Sequence, residues 1–174
     1  MIAGVLLGGG RSRRFGSNKL QAPIDGRRML DIACAHFLEA GLEPVVFCGR
    51  DRPEDERVIV VEPGADMIDT LRNGLRAIPD GPFAFAPADM PRLQPGLIQR
   101  LAEAFLASGK PYLVPVFEGR RGHPAFASDK EPFFRLGDTR GAREVWETAG
   151  EDLVHFEIET RDILFDVDRP SDLE

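Results

Sequence analysis

The first apolar segment and the glycine-rich loop after it constrain the fold more than any other feature of this chain. Apolar residues from Ile2 to Leu7 run into three consecutive glycines, which are Gly8, Gly9 and Gly10. A short apolar run that ends in glycines is typical of a buried strand followed by a tight loop. Because glycine has no Cβ atom, the backbone of such a loop can approach a ligand closely. The sequence therefore predicts a buried first strand whose end carries a ligand-binding loop.

Positive charge is concentrated directly after this loop, although the formal net charge of the chain is -7. The four cations that follow the glycines are Arg11, Arg13, Arg14 and Lys19. Free backbone N–H groups, guanidinium groups and an ammonium group together suit phosphate oxygens. We therefore expect the loop to bind a polyphosphate.

Two widespread phosphate-binding motifs do not match this loop. The dinucleotide fingerprint requires a third glycine at the position of Arg13, which disfavours a nicotinamide oxidoreductase. The P-loop requires a lysine directly after its last glycine, but Gly16 is followed by Ser17 and Asn18. Another class of phosphate-binding loop is therefore needed.

The segment resembles the nucleotide-binding motif of the molybdenum cofactor nucleotidyltransferases and of their wider superfamily. The positions that match are Leu7, Gly10, Ser12, Arg14, Phe15, Gly16 and Lys19, whereas Gly8 stands where alanine is usual. The resemblance implies catalytic roles for Arg14 and Lys19. It implies nucleotide binding by Leu7, Gly8, Gly9, Gly10 and Ser12. The alternative is a glycine-rich turn with solvated arginines.

Two acidic segments resemble the metal site of the same family. Asp89-Met90-Pro91 follows a predicted buried strand, and the carboxyl ends of parallel strands meet at one edge of a sheet. A carboxylate there can hold Mg²⁺ against phosphate oxygens. Asp166-Val167-Asp168 resembles the terminal acidic motif of the family, and we favour Asp168 over Asp166 as the second ligand. The alternatives are a loop cap at Asp89 and a helix cap before Pro170.

Two segments in the second half resemble the acceptor-binding part of the cytidylyltransferase branch. Gly122-His123-Pro124 implies that His123 contacts the acceptor, and Gly141-Ala142-Arg143 implies the same for Arg143. The alternatives are a histidine that orients a turn and an arginine in a solvated turn. Gly9 and the Asp89 segment resemble the guanylyltransferase branch instead, so the base is left open between guanine and cytosine.

A further segment, residues 69–74, resembles the start of a helix that lies near the nucleotide in this superfamily. Thr70 would then contact the nucleotide, and Gly74 would allow close packing of the helix. The alternative is an ordinary helix with Arg72 at the surface.

Apolar patterns with strand and helix periodicity alternate along the chain, which favours an α/β fold. We predict a single Rossmann-like, three-layer nucleotidyltransferase domain over residues 1–174, with a mostly parallel sheet. The predicted helices cover 29–40, 67–78, 95–107, 133–136 and 141–148. The predicted strands cover 2–7, 44–48, 57–61, 83–86, 112–117, 124–127, 153–158 and 163–165, and a last helix begins at Pro170.

Composition excludes several classes of function. The pI of about 5.1 argues against bulk nucleic-acid binding. No apolar run approaches the roughly 20 residues of a membrane span, and no basic leader precedes the first apolar run. Cys34 and Cys48 lack CxxC spacing and fit buried thiols in a reducing compartment. We therefore expect a cytoplasmic protein without membrane contact.

The resemblance implies a Mg²⁺-dependent transfer of GMP or CMP from a nucleoside triphosphate to a phosphorylated acceptor, with release of pyrophosphate. The implied acceptor is molybdopterin, and a further implied partner is an enzyme that accepts the finished cofactor. Transfer to a sugar phosphate, phospholactate or cobinamide is an alternative. A noncatalytic nucleotide-binding domain of the same fold is another.

Overall fold

One sheet collects strands from both halves of the chain in the computed structural model, which describes residues 1–9, 18–137 and 141–173. Strand order across this sheet is β10-β7-β9-β6-β1-β4-β5, with β8 beside β7, whereas β2 and β3 form a separate hairpin. In chain order the strands are β1 (Ala3–Leu7), β2 (Pro23–Ile24), β3 (Arg27–Arg28), β4 (Val45–Cys48), β5 (Ile59–Val61), β6 (Phe83–Pro87), β7 (Tyr112–Phe117), β8 (Arg120–Arg121), β9 (Ala125–Ala127) and β10 (Leu153–Glu157).

The sheet is mostly parallel, as predicted. Strand β1 is parallel to both neighbours, β4 and β6, and β10 is parallel to β7. Strand β9 runs antiparallel between β6 and β7. The chain passes from β1 outward to β4 and β5, and then returns to place β6 on the other side of β1. The carboxyl ends of β1 and β6 therefore flank a topological switch point, where α/β sheets bind ligands.

The helices are α1 (Met29–Glu39), α2 (Met67–Arg76), α3 (Pro95–Ser108), α4 (Glu131–Phe134) and α5 (Arg143–Ala149). Asp66 caps α2 by accepting a hydrogen bond from the backbone of Asp69 at 2.8 Å. Gly109, with φ of 62°, ends α3 in the left-handed conformation that glycine adopts without strain. All five helices agree with the predicted ones to within a few residues. None of the helices in the described ranges is long and apolar enough to cross a bilayer.

The segment after β10 differs from the prediction. Residues 163–165 do not form a strand, because a 3₁₀ helix covers Arg161–Leu164. Thr160 starts this helix by accepting a hydrogen bond from the backbone of Asp162 at 3.2 Å, which supplies a cap that a strand would not need. A second 3₁₀ helix covers Pro170–Leu173, where the final helix was predicted.

Two apolar cores, one on each face of the sheet, complete the predicted three layers. Leu6 of β1 belongs to the core that contains Phe37 of α1 and Ile98 of α3. Val5, its neighbour in sequence, belongs to the opposite core with Leu71 of α2. Successive strand residues point to opposite faces, so β1 supplies both cores, and every residue of this strand is buried. Cys34 and Cys48 are buried free thiols, and burial raises the pKa of each to about 12.

Candidate active site

Backbone pairing brings the glycine-rich loop and Asp89 to the same edge of the sheet. Leu7 at the end of β1 lies opposite Pro87 at the end of β6. The pairing continues past the strands, because the backbone N–H of Ala88 donates to the carbonyl of Leu7 at 2.9 Å. On the other side, Gly8 N–H donates to the carbonyl of Cys48 at 2.8 Å. The predicted juxtaposition of loop and acid is therefore confirmed at the level of the backbone.

Lys19 joins the two acids that the sequence singles out. Its ammonium contacts Asp89 Oδ2 and lies 3.5 Å from Asp168 Oδ1. The same ammonium donates to the carbonyl of Val167 at 2.9 Å. The backbone N–H of Val167 in turn donates to the carbonyl of Asp89 at 2.9 Å. Three segments that are far apart in sequence thus meet in one cluster, which we call the Lys19 cluster (Lys19, Asp89, Val167 and Asp168).

Opposing effects act on the pKa of the Asp89 carboxyl in this cluster. Burial raises the pKa of the Asp89 carboxyl, the contact with Lys19 lowers it, and the neighbouring charge of Asp166 raises it again. The net direction is upward, because desolvation of the carboxylate is the largest effect. Asp89 Oδ1 is also buried without a hydrogen-bond partner in the part of the chain that the structure describes. A second cation beside Asp89 would satisfy this oxygen and stabilise the ionised form.

Two carboxylates suit a hard divalent cation. No group of three or more His, Cys, Asp or Glu side chains capable of holding a metal occurs among the residues described. Asp89 and Asp168 would therefore supply part of a coordination shell. Phosphate oxygens and water complete the shell of Mg²⁺ in many nucleotide sites, where the ion keeps several waters. The donor set fits Mg²⁺ bound together with a polyphosphate.

The turn that carries Lys19 is anchored by a residue that the sequence interpretation missed. Asp51, in the loop after β4, accepts a hydrogen bond from Asn18 Nδ2 and one from Gln21 Nε2, each at 2.8 Å. The side chain of Asn18 also caps the 3₁₀ turn by accepting from the backbone of Leu20 at 3.2 Å. Leu20 is buried in the apolar core. The polar loop around Asp51 carries no motif, so its role depends on the fold alone.

Gly8 and Gly9, the two glycines of the loop that the structure describes, have no room for a side chain. A Cβ atom on Gly8 would collide with the ring of Phe47, and one on Gly9 would lie 2.8 Å from Thr70 Oγ1. Thr70, for which the resemblance implies contact with the nucleotide, therefore lies beside the loop. Its hydroxyl donates to the carbonyl of Asp66 at 2.7 Å and accepts from Gly64 N–H at 3.0 Å, so it also holds the start of α2. The predicted site residues Gly10, Ser12 and Arg14 lie outside the described residues.

A cavity of about 1140 Å³ opens beside the loop, on the α2 and α5 side of the sheet. Leu7 and Pro87 line it, so it adjoins the ends of β1 and β6. Its apolar wall includes Phe85 and Trp146, whose rings stack with centroids 6.2 Å apart and planes at 13°. Its rim carries three exposed arginines, which are Arg120, Arg121 and Arg143. The cavity thus combines an aromatic wall with a cationic edge.

His123 and Arg143, for which the resemblance implies contact with the acceptor, both line this cavity. The backbone N–H of His123 donates to the carbonyl of Ile163 at 2.9 Å, and a Cβ on the preceding Gly122 would collide with that carbonyl. Burial lowers the pKa of His123 to about 4, against the opposing effects of a hydrogen bond to the Phe85 backbone and the charge of Asp166. The imidazole is therefore neutral near pH 7. It can offer a hydrogen bond to a ligand, and positive charge comes from the arginines.

Other groups on this rim were not assigned to the site from the sequence. Arg121 Nε donates to His155 Nε2 at 3.1 Å, and both residues line the cavity. Arg143 Nε lies 3.0 Å from Glu147 Oε1. His155 and Arg121 come from β10 and β8, which both lie near the same end of the sheet beside β7. No local motif marks His155, and only the pairing of strands reveals its position.

The fold is shared with solved structures, among which are nucleotidyltransferases. The molybdopterin-guanine dinucleotide biosynthesis protein A of Archaeoglobus fulgidus aligns with a TM-score of 0.73 and 20% identity over 99% of this chain and 95% of that chain. A Mycobacterium tuberculosis protein solved as a complex with manganese aligns with a TM-score of 0.66 and 21% identity, over 90% of this chain and 88% of that chain.

The sequence itself then specifies the family. Residues 4–153 match the MobA-like NTP transferase domain, and the chain belongs to that family. The molybdenum cofactor guanylyltransferase of Xanthomonas euvesicatoria is 34% identical over 99 residues, which are 56% of this chain and 52% of that protein. The match thus spans about half the length of this curated relative.

Proposed function

We propose that this protein transfers GMP from GTP to the phosphate monoester of molybdopterin and releases pyrophosphate. The observation that carries the proposal is the Lys19 cluster, which joins the turn after the glycine loop to the acid that follows β6 at the carboxyl edge of the sheet. Membership of the MobA-like family supports the type of reaction. The similarity to a guanylyltransferase, together with Gly9 in the loop, favours guanine over cytosine.

The proposed transfer does not require a general base to activate the acceptor phosphate. A phosphate monoester has a second pKa of about 6, so near pH 7 its oxygen is already a nucleophile. The acceptor and the triphosphate are both anions, and the enzyme must hold them together in line despite their repulsion. Cationic groups placed before the reaction begins are what this problem requires.

The Lys19 cluster supplies these groups on the triphosphate side. Asp89 and Asp168 would hold Mg²⁺, which when bound neutralises and orients phosphate oxygens. The ammonium of Lys19 lies between the two acids, where it can stabilise charge that develops on the departing pyrophosphate. Arg14 keeps the same predicted role from the loop. Backbone groups of Leu7, Gly8 and Gly9 would contact the base, and Thr70 packs against the loop at Gly9.

The cavity supplies the acceptor side. The stacked rings of Phe85 and Trp146 offer an apolar surface that suits a flat heterocycle such as a pterin. Arg120, Arg121 and Arg143 are positioned on the rim to bind the acceptor phosphate, because guanidinium groups pair well with phosphate oxygens. His123, which is neutral, would donate or accept a hydrogen bond with the heterocycle.

The decisive experiment combines nucleotide binding with product formation. Melting temperatures are measured with GTP, CTP, ATP and UTP, each with and without Mg²⁺, because a ligand that binds only the folded state stabilises it by mass action. We expect a Mg²⁺-dependent rise with GTP that exceeds the rise with CTP. Pyrophosphate release is then measured with GTP and molybdopterin together.

The outcomes separate the alternatives. Release of pyrophosphate with CTP and not GTP would place the protein in the cytidylyltransferase branch. The same assay is repeated with a sugar phosphate and with phospholactate in place of molybdopterin. If GTP binds but none of these acceptors supports release of pyrophosphate, the protein is a noncatalytic nucleotide-binding domain. Asp89→Asn serves as the inactive control, and Asp80→Asn, an exposed acid that pairs with Lys130 at 2.8 Å, serves as the matched control.

A further inference from the structure

Arg72 is a buried cation on helix α2, and its side chain is directed away from solvent with an exposed fraction of only 8%. The alternative of an ordinary helix with Arg72 at the surface is therefore wrong. Its guanidinium uses all three nitrogens. Nε donates to the carbonyl of Phe133 at 3.1 Å, Nη2 donates to the carbonyl of Leu136 at 2.5 Å, and Nη1 donates to Asp69 Oδ1 at 3.0 Å.

These contacts fix the chain where it leaves helix α4. The last carbonyls of a helix have no partner within the helix, and a guanidinium can satisfy two of them at once. Phe133, in the last turn of α4, supplies such a carbonyl, and Leu136 supplies a second carbonyl from the segment just after the helix. Arg72 therefore ties helix α2 to the end of α4.

The same contact supports the aromatic wall. The ring of Phe133 packs edge-on against Phe85, with centroids 5.8 Å apart, and against Trp146, also at 5.8 Å. Phe133 is fully buried and also packs edge-on against Phe83, with centroids 5.5 Å apart, so its backbone and three surrounding rings set its position. A shift of the Phe133 carbonyl away from Arg72 would be transmitted directly to Phe85 and Trp146.

Helix α2 also contacts the nucleotide side. Thr70, two residues before Arg72, lies against Gly9 and is held by Asp66 and Gly64 rather than by Arg72. The nucleotide loop and the acceptor wall thus meet the same helix through different side chains. Loss of Arg72 leaves the contacts of Thr70 in place.

We propose that Arg72 is a positioning residue for the acceptor, and that it acts through Phe133 on the aromatic wall of Phe85 and Trp146. The proposal depends on the proposed function, because it assigns the cavity to the acceptor. It requires that loss of Arg72 weakens use of the acceptor while binding of GTP is retained.

The test compares Arg72→Met with Arg76→Met. Arg76 lies one turn further along α2, is exposed, donates to Asn73 Oδ1 at 2.9 Å and stacks on Phe134 at 5.3 Å, so it also joins α2 to α4. For Arg72→Met we expect the KM for molybdopterin to rise by about tenfold or more, because small misplacements of a binding wall have effects of this size. The Kd for GTP with Mg²⁺ stays within about twofold. Arg76→Met leaves both constants near the wild-type values.

Two additional measurements keep the test decisive. The first is Arg72→Lys, which retains the charge without the planar fork of the guanidinium. We expect its KM for molybdopterin to lie between those of wild type and Arg72→Met, and this variant tests the proposal if Arg72→Met does not fold.

The second is the fluorescence of Trp146, the single tryptophan of the chain, which reports on the aromatic wall. We expect its emission to shift to longer wavelength in the Arg72 variants and not in Arg76→Met.

The outcomes distinguish the two proposals. An active wild type with an unchanged KM in both Arg72 variants would overturn the positioning role and leave the proposed function intact. An equal loss of GTP and molybdopterin binding would overturn it as well, since that pattern indicates a general structural role. A wild type that binds GTP but does not use molybdopterin would refute the proposed function itself, and the positioning role with it.

Discussion

Lys19 contacts the carboxylate of Asp89 at the edge of the sheet, and each of the two side chains is only 15% exposed. Charges in such a partly desolvated place interact more strongly than charges on the surface. Removal of one partner leaves the other buried without its counter-charge, which is more unfavourable than the absence of both. A substitution of either residue should therefore change both the free energy of unfolding and the charge of the site.

The pairing of Lys19 with Asp89 predicts the result of a double-mutant cycle. We expect Lys19→Met to lower the free energy of unfolding by about 1–3 kcal/mol, because it leaves Asp89 in a buried position without its ammonium partner. In a background that already carries Asp89→Asn the same change should have a smaller effect, with a coupling free energy of at least about 1 kcal/mol. Urea unfolding of the wild type, both single variants and the double variant measures it. Additive effects would show that the pair contributes nothing beyond its separate residues.

Asp89→Asn should abolish turnover while the fold is retained. The amide keeps the shape of the side chain but removes the charge that would hold Mg²⁺. We expect kcat for pyrophosphate release to fall by at least about 100-fold, together with loss of the Mg²⁺-dependent rise in melting temperature with GTP. Asp80→Asn, whose acid is exposed and away from the cluster, should behave as the wild type. Near-normal turnover in Asp89→Asn would remove Asp89 from the metal site.

Gly74 should be intolerant of alanine even though it lies inside helix α2. In an unconstrained helix, glycine to alanine stabilises by about 1 kcal/mol. A Cβ on Gly74 would lie 2.5 Å from Val5 Cγ1 and 2.6 Å from Cys48 Sγ, at the contact between α2 and the sheet. We expect Gly74→Ala to destabilise by about 1–3 kcal/mol, as overpacking does.

Gly96, near the start of α3, is the matched control for Gly74. Nothing lies within 4 Å of a Cβ built there, so Gly96→Ala should be neutral or slightly stabilising. Urea midpoints of the two variants, measured side by side, give the comparison. Equal midpoints would show that the contact of α2 with β1 and β4 relaxes without a penalty.

His123 should make stability depend on pH. Burial lowers its pKa from 6.5 to about 4, so between these values native His123 binds fewer protons than the same residue in the unfolded chain. Its stabilising contribution is complete above about pH 6.5 and is lost as the pH falls towards about 4, with a slope of up to about 1.4 kcal/mol per pH unit.

The check for this effect is the difference between wild type and His123→Asn. The free energy of unfolding, measured in urea between about pH 4.5 and 7.5, should vary less steeply with pH in the variant, which lacks the imidazole. His36, whose pKa is also lowered by burial, is present in both proteins and cancels in the difference. Parallel pH profiles would show that the imidazole of His123 is solvated in the native state.

Local sequence was sufficient for the five helices and for the ends of the central strands, but not for residues 163–165, where a 3₁₀ helix replaces the predicted strand. The apolar run of β1, the glycines after it and the acid after β6 are each contiguous, and their periodicity and turn chemistry are visible without knowledge of the fold. The end of the first long helix was predicted from the glycine at position 41, and in the structure Gly41 takes φ of 82°, which glycine adopts without strain. Strand order follows less directly, yet parallel pairing of β1 and β6 was enough to bring Asp89 to the loop.

Contacts between distant segments were decided only by the tertiary structure. Asp51 anchors the turn of Lys19, Arg72 is buried against the end of α4, and His155 of β10 lines the cavity that contains Phe85 and Trp146. Asp51 and His155 stand in no motif. Arg72 lies within residues 69–74, but a surface arginine has the same local pattern as a buried one. The roles of these three residues come from packing across large separations in sequence, where burial and a fixed partner give each charged group its effect. The sequence by itself therefore indicated which charged groups lie at the edge of the sheet, and the tertiary structure decided which side chains position them.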